Sequence, residues 1–197
     1  IIPLIPRSDA RVLDHGCGEA LHADRVAAAA GALLLCESAA TLRDRLAQRF
    51  AGNAKVLVLA PAELERQPAG SLDLVVANSV SQYLKPQELD RLLGLWRGLL
   101  RPDGTLIVAD VIPPQVGPLT DTIQLLRYAA KNGFVTAVLI GVVRTLFSPY
   151  LKMRANFSRY NEAEFLAKLR ASGFAAERLP RNLEHNQARM AFRARPR

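Results

Sequence analysis

Short apolar runs and helical patterns alternate along the first hundred residues. Ala10 to Asp14 is a predicted strand that stops at Gly16-Cys17-Gly18, and Leu21 to Ala30 a small-residue helix closed by Gly31. Ala32 to Cys36 reads as a second strand. Ala39 to Phe50 carries Leu42, Leu46 and Phe50 at a spacing of four, one face of a helix. Gly52-Asn53 then ends it, as such residues commonly end helices. Lys55 to Leu59 is a third strand. Leu72 to Ala77 is a fourth, apolar enough to be expected buried on both faces. Pro86 to Leu100 is a helix with Leu89, Leu92, Leu93, Trp96 and Leu100 turned inward, and Arg101-Pro102-Asp103-Gly104 is a turn into a fifth strand, Thr105 to Ala109.

The rhythm breaks between Pro113 and Arg159, where Thr120 to Lys131 and Phe134 to Phe147 look helical, punctuated by Gly133 and Pro149. Asn161 to Ser172 is a helix with an Asn N-cap and acidic residues in its first turn. Phe174 to Leu179 and Ala188 to Ala194 are two final strands, joined by too few residues for a helical crossover and therefore antiparallel. Strands alternating with helices imply right-handed parallel units in a doubly wound α/β sheet. The expectation is one domain over 1–197, with 113–159 a helical insertion between strands five and six.

Length and composition narrow this further. The chain of 197 residues is half apolar, which excludes intrinsic disorder, and a chain of this size buries roughly 70% of its unfolded surface. Two cysteines are no disulfide framework and point to a reducing compartment. The start lacks a basic flank and a long apolar run, so no signal peptide is expected. The most apolar stretch, Phe134 to Phe147 with Arg144 inside it, falls short of the ~20 residues of a spanning helix. A soluble, cytoplasmic protein is the default. The net charge of +8 mainly reports solubility, although it also suits an acidic substrate or an anionic membrane surface.

The chemistry concentrates in Val12-Leu13-Asp14-His15-Gly16-Cys17-Gly18-Glu19-Ala20. A glycine turn between strand and helix lets a ligand approach the backbone, at the carboxyl edge where open α/β sheets bind ligands. Glu37 lies 19 residues after Gly18, at the end of the second strand, where a carboxylate accepts the hydroxyls of an adenosine ribose. With Ser71-Leu72-Asp73-Leu74-Val75-Val76, Leu99-Leu100-Arg101-Pro102-Asp103-Gly104-Thr105-Leu106, and Asn161 to Leu166 followed by Ala171-Ser172-Gly173-Phe174, this motif resembles the class I S-adenosylmethionine (SAM)-dependent methyltransferases, in order and over nearly the whole chain.

That resemblance implies a Rossmann-like seven-stranded sheet, mostly parallel with an antiparallel last strand, and SAM as cofactor with S-adenosylhomocysteine as product. It places Asp14 at the methionine ammonium. Gly16, Cys17 and Gly18 fall close to the methionine and ribose parts, and Glu37 on the ribose hydroxyls. Ser38 and Ala39 lie beside the adenine, with Ala60-Pro61-Ala62-Glu63 at its edge. Asn78 and Ser79 lie at the methionine end. Two positions depart from the family pattern. Ala20 stands at the third glycine, whose usual task is helix–strand packing, and Ala60 stands where an Asp often accepts from the adenine amino group, a task for which Glu63 is a substitute candidate. An NAD site fits poorly, because Asp14 and Glu19 flank the glycines and would repel a pyrophosphate, whereas they attract an ammonium and a sulfonium.

The remaining residues have weaker claims. His15 is a candidate base or a packing residue of the loop; Tyr83 a candidate substrate-facing aromatic or a helix-start packing residue; Asp110 a candidate proton acceptor or a turn cap. Cys17 and Cys36 read as small buried side chains. His15, His22 and His185 lack metal-ligand spacing, and Asp121 is the only other acid near Asp110, so no metal is expected. The Pro-Pro-aromatic sequence that holds a flipped base is missing after Asn78, where the chain reads Ser79-Val80-Ser81, which argues against nucleic acid. The apolar insertion, with Leu125, Leu126, Tyr128, Phe134 and Phe147, suits a lid over a small or medium apolar or aromatic acceptor. Arg127, Lys131, Arg144, Lys152 and Arg154 are placed to meet an acidic group or a membrane surface. O-, N- and C-methylation stay open, as do monomer and homodimer. An RNA or protein methyltransferase and a non-catalytic SAM-binding protein of the same fold are the alternatives.

Overall fold

The computed structural model describes residues 1–117 and 157–197. The helices expected at Thr120 to Lys131 and Phe134 to Phe147 lie outside the described residues, as do the basic positions and Asp121 among them. The strands are β1 (Arg11–His15), β2 (Ala32–Cys36), β3 (Val56–Leu59), β4 (Leu72–Asn78), β5 (Leu100–Val111), β6 (Phe174–Arg178) and β7 (Met190–Pro196). The helices are α1 (Ala23–Ala29), α2 (Ala40–Phe50), α3 (Pro61–Leu64), α4 (Pro86–Leu99) and α5 (Glu162–Ala171). The seven strands form one sheet in the order β3-β2-β1-β4-β5-β7-β6. β1 to β5 pair in parallel, while β7 runs antiparallel to both β5 and β6, as expected. The strand order reverses between β1 and β4, the switch point at which such sheets open a crevice.

Strand alternation divides the core between two faces. Leu13, Val75, Leu93, Trp96, Phe165 and Phe192 pack on one; Val12, Val26, Leu33, Leu35, Phe50, Leu74 and Val76 pack on the other. All of β4 except Asn78 is buried, as its apolar run required. At the amino ends of the strands the buried Asp73 accepts from the Arg11 backbone N–H at 2.7 Å and pairs with Arg101 at 2.8 Å and Arg7 at 2.6 Å. This ties β1, β4 and β5 together and leaves their carboxyl ends for a ligand.

Among the boundaries that differ from expectation, two have a clear physical cause. The turn at Arg101–Gly104 does not precede β5 but is absorbed into it: Leu72 pairs with Leu100 and Leu74 with Thr105, so four residues bulge opposite one. Gly104 is required there, since a Cβ would stand 3.0 Å from the Arg101 carbonyl and 3.1 Å from that of Leu72. Helix α1 begins at Ala23 rather than Leu21, because Gly16, Gly18 and Ala20 all take positive φ and hold the chain in a loop. The Asn161 cap of α5 forms as expected. Its Oδ1 accepts from Glu164 N, and Glu164 Oε2 accepts from Asn161 N, both at 2.9 Å.

Candidate active site

The loop after β1 is fastened to the end of β2. Gly16 and Cys17 both donate their N–H to the Cys36 carbonyl, at 2.8 and 3.3 Å. Gly18 N donates to Glu37 Oε2 at 3.0 Å, while Ala39 N at 2.9 Å and Ser38 Oγ at 3.2 Å donate to Glu37 Oε1. Burial alone would raise the Glu37 pKa, but the N–H groups of Ala39 and Gly18 and the Ser38 hydroxyl outweigh it and hold the carboxyl below its ordinary range. A carboxylate offers about four acceptor positions, so three bonds leave capacity for an incoming hydroxyl. From the outside, Arg49 donates to the carbonyls of Glu19, Ala20 and Leu21, and Arg45 pairs with Glu19 at 2.8 Å.

Above this loop lies a cleft of about 700 Å³, open to solvent. Asp14, Gly16, Cys17 and Asn78 line it. Asp14 enters because alternation along β1 sends it to the face of α1. No described residue donates a hydrogen bond to its carboxylate, and burial pushes its pKa up to about 6. A Cβ on Gly18, at φ +55°, would meet open space, while one on Gly16, at φ +71°, would stand 2.7 Å from Val80 Cγ2. The room above Gly18 and the half-buried acid, which accepts no hydrogen bond from a described residue, suit a cationic ligand lying against the backbone. Cys17 and Cys36 are free, and burial pushes both thiols up to about 12, so neither is a nucleophile near neutrality.

Other expected site residues sit elsewhere. Alternation turns His15 to the opposite face from Asp14. There its Nδ1 accepts from Trp96 Nε1 at 3.3 Å and burial lowers its pKa to about 4, which makes it a packing residue of the α4 face. Tyr83 is 55% exposed, stands edge-on to Phe157 with ring centres 4.9 Å apart, and does not line the cleft. Asp110 is neither turn cap nor open-edge base. It is 5% exposed, and its oxygens accept from Ser79 Oγ at 2.7 Å, Asn182 Nδ2 at 3.1 Å and Arg189 at 2.5 Å. Ser79, at φ 58°, thus points into this cluster. Ala60, the N-cap of α3, and Pro61 and Ala62 in its first turn follow the end of β3, where the Leu59 carbonyl accepts from the Glu37 N–H at 3.1 Å. Glu63 is engaged locally, accepting from Ala60 N at 2.7 Å as the cap of α3.

The largest omission from the sequence reading is the connection between β6 and β7. Because β6 runs parallel to β5, its carboxyl end and the following loop reach the ligand-binding edge. Leu183 and Glu184 line the cleft, and Glu184 Oε1 accepts from Asn78 Nδ2 at 2.7 Å. The antiparallel pairing of the last two strands, already expected, was the available signal, since it puts their hairpin loop at that edge. Among the described residues no group of three or more His, Cys, Asp or Glu is placed to bind a metal ion, and no helix is long and apolar enough to cross a membrane.

A family model described as a methyltransferase domain matches residues 13–106, from β1 into β5. Several solved structures share the fold. The YcgJ protein from Bacillus subtilis has a TM-score of 0.65 at 13% identity, over 100% of this chain and 96% of that one. A Bordetella parapertussis protein described as a possible exported protein has a TM-score of 0.63 at 15% identity, over 96% of this chain and 62% of that one. Human N-acetylserotonin methyltransferase, in complex with SAM, has a TM-score of 0.62 at 14% identity, over 95% of this chain and 47% of that one. The chain therefore spans under two thirds of the Bordetella protein and about half of the human enzyme. No curated protein matches the sequence.

Proposed function

Since the chain belongs to the class I SAM-dependent methyltransferase family, we propose that it transfers a methyl group from SAM to a small or medium apolar or aromatic molecule. The observation that carries this reading is the donor end of the cleft. The glycine loop leaves room for a ligand, Glu37 holds that loop with its carboxyl kept below its ordinary range, and the half-buried Asp14 lines the cleft with no hydrogen-bond donor among the described residues. A pyrophosphate would be repelled by Asp14, whereas a donor carrying an ammonium is drawn to it; Glu19 is already paired with Arg45.

Bound SAM supplies a methyl group on a good leaving group. The chain's residues bind, orient and desolvate. Asp14 takes the positive charge of the methionine part, Glu37 accepts ribose hydroxyls, and Gly16 and Gly18 let the ligand lie on the backbone. Asn78 lines the methionine end. An acceptor that is already nucleophilic needs no base from the protein.

The apolar character of the acceptor rests on the sequence of the 113–159 insertion, proposed as its lid, and on Leu183 beside the cleft. The small molecule in the name of the human relative supports the same class. The two free thiols support a cytoplasmic location. Incubation with isotopically labelled SAM and a panel of aromatic, polyketide-like and isoprenoid acceptors, followed by mass spectrometry, tests the reading. A methylated product is expected. Saturable SAM binding with transfer to none of them would assign instead a SAM-binding protein that has lost the chemistry.

A further inference from the structure

Besides Asp14 and Glu19, the cleft is lined by Glu184, whose carboxylate faces Asn78. The β1–β4 ladder pairs Asp14 with Val76 and His15 with Ala77, so Asn78 stands one step further, beside Gly16. Asn78 spends its Nδ2 on Glu184 at 2.7 Å, and its own Oδ1 is buried without a hydrogen-bond partner. Both groups bring negative charge or its partial equivalent to the carboxyl end of β4.

The loop that delivers Glu184 is anchored on both sides of it. Asn182 Oδ1 accepts from Asp110 N at 2.9 Å, and Asn182 Nδ2 donates to the Asn186 carbonyl at 3.1 Å. Gln187 Nε2 donates to the Glu184 carbonyl at 2.6 Å, and Arg189 pairs with Asp110 at 2.5 Å. The buried Asp110 cluster therefore fixes where Glu184 stands. The adenosine positions, Glu37 and Ala60, are at β2 and β3. Glu184 comes from the β6–β7 connection and stands beside Asn78 in the cleft, away from those positions, which leaves it on the side where the methionine part and its sulfur would lie.

Methyl transfer converts a sulfonium into a neutral thioether, while the ammonium and carboxylate of the methionine part stay as they were. Asp14, assigned to the ammonium, meets the same charge before and after the reaction. A negative charge beside the sulfur favours the donor over the product. Resting on the methyl-transfer reading above, we propose that Glu184, aligned by Asn78, is the residue that makes the site prefer the sulfonium donor over its thioether product.

Calorimetric titration of the wild-type chain, Glu184→Gln and Asp14→Asn with SAM and with S-adenosylhomocysteine tests this without an acceptor. Glu184→Gln is expected to weaken SAM at least about fivefold, the strength of a water-screened charge pair, and to change S-adenosylhomocysteine less than twofold. Retained product binding also reports an intact fold. Asp14→Asn is expected to weaken both ligands alike. Equal effects of Glu184→Gln on the two ligands, or none on SAM, would overturn the assignment while leaving the family site intact. A wild-type chain that binds neither ligand would overturn the donor site itself, and this assignment with it.

Discussion

Gly18 donates its backbone N–H to Glu37 Oε2 at 3.0 Å, joining the loop after β1 to the end of β2. One carboxylate thus has two tasks, holding the loop and accepting the ribose. Glu37→Ala is expected to cost donor binding roughly 1.5–3 kcal/mol, as for hydrogen bonds to a charged group. It should also lower stability, because three donors lose their acceptor. Calorimetry with SAM and urea unfolding read the two effects separately. Unchanged SAM affinity in Glu37→Ala would refute the ribose assignment.

Ala20 occupies a left-handed backbone conformation, φ 45°, at the position of the family's third glycine. Such a conformation costs a residue with a Cβ ~1–2 kcal/mol, and glycine's freedom in the unfolded chain takes back ~0.4–1 kcal/mol. Ala20→Gly is therefore expected to stabilise the protein by about 0.5–1 kcal/mol. The urea midpoint should rise with an unchanged slope; a fall would show that the loop carries no strain at Ala20.

Gly16 and Gly18 separate strain from ligand contact. Gly16→Val puts a branched side chain at φ +71° and against Val80, so it should cost ~1–3 kcal/mol of stability and abolish SAM binding while the chain still folds. Gly18→Ala meets open space, so any loss of SAM affinity beyond its backbone cost reports the ligand itself. Full SAM affinity in both variants would show that the ligand does not lie on this loop.

The sheet was legible because each apolar run is about one strand long and each helix has a single apolar face. The same alternation accounts for the division of labour between Asp14 and His15, which the loop's glycines obscured by drawing both into one motif. β5 was less legible, since Pro102-Asp103-Gly104 has the chemistry of a turn and only pairing with Leu72 shows that the strand resumes around it. Asp110 and Glu184 were hidden for a different reason. Their partners, Asn182, Arg189 and Asn78, are brought together by pairing between distant strands, and no local pattern announces an Asn that faces a carboxylate 106 residues away.

Asp14 gives donor binding a pH dependence of definite sign. Burial raises its folded-state pKa from 3.8 to about 6. Ionising it therefore costs the folded chain, and this contribution lowers stability as pH rises from about 4 to about 6, then levels off. A cationic donor favours the ionised form, so binding draws the proton off. SAM affinity is expected to rise with pH up to about 6 and to flatten above it, by about tenfold per unit below the bend. Asp14→Asn should remove this component of the slope and bind SAM more weakly near neutrality, while its stability should not show the fall between about pH 4 and 6. Calorimetry at pH 5 and pH 7.5, in buffers of different ionisation heat, counts the proton released at the lower pH. A wild-type chain that releases none there, or an Asp14→Asn variant with the same slope, would show that the cation lies elsewhere in the cleft.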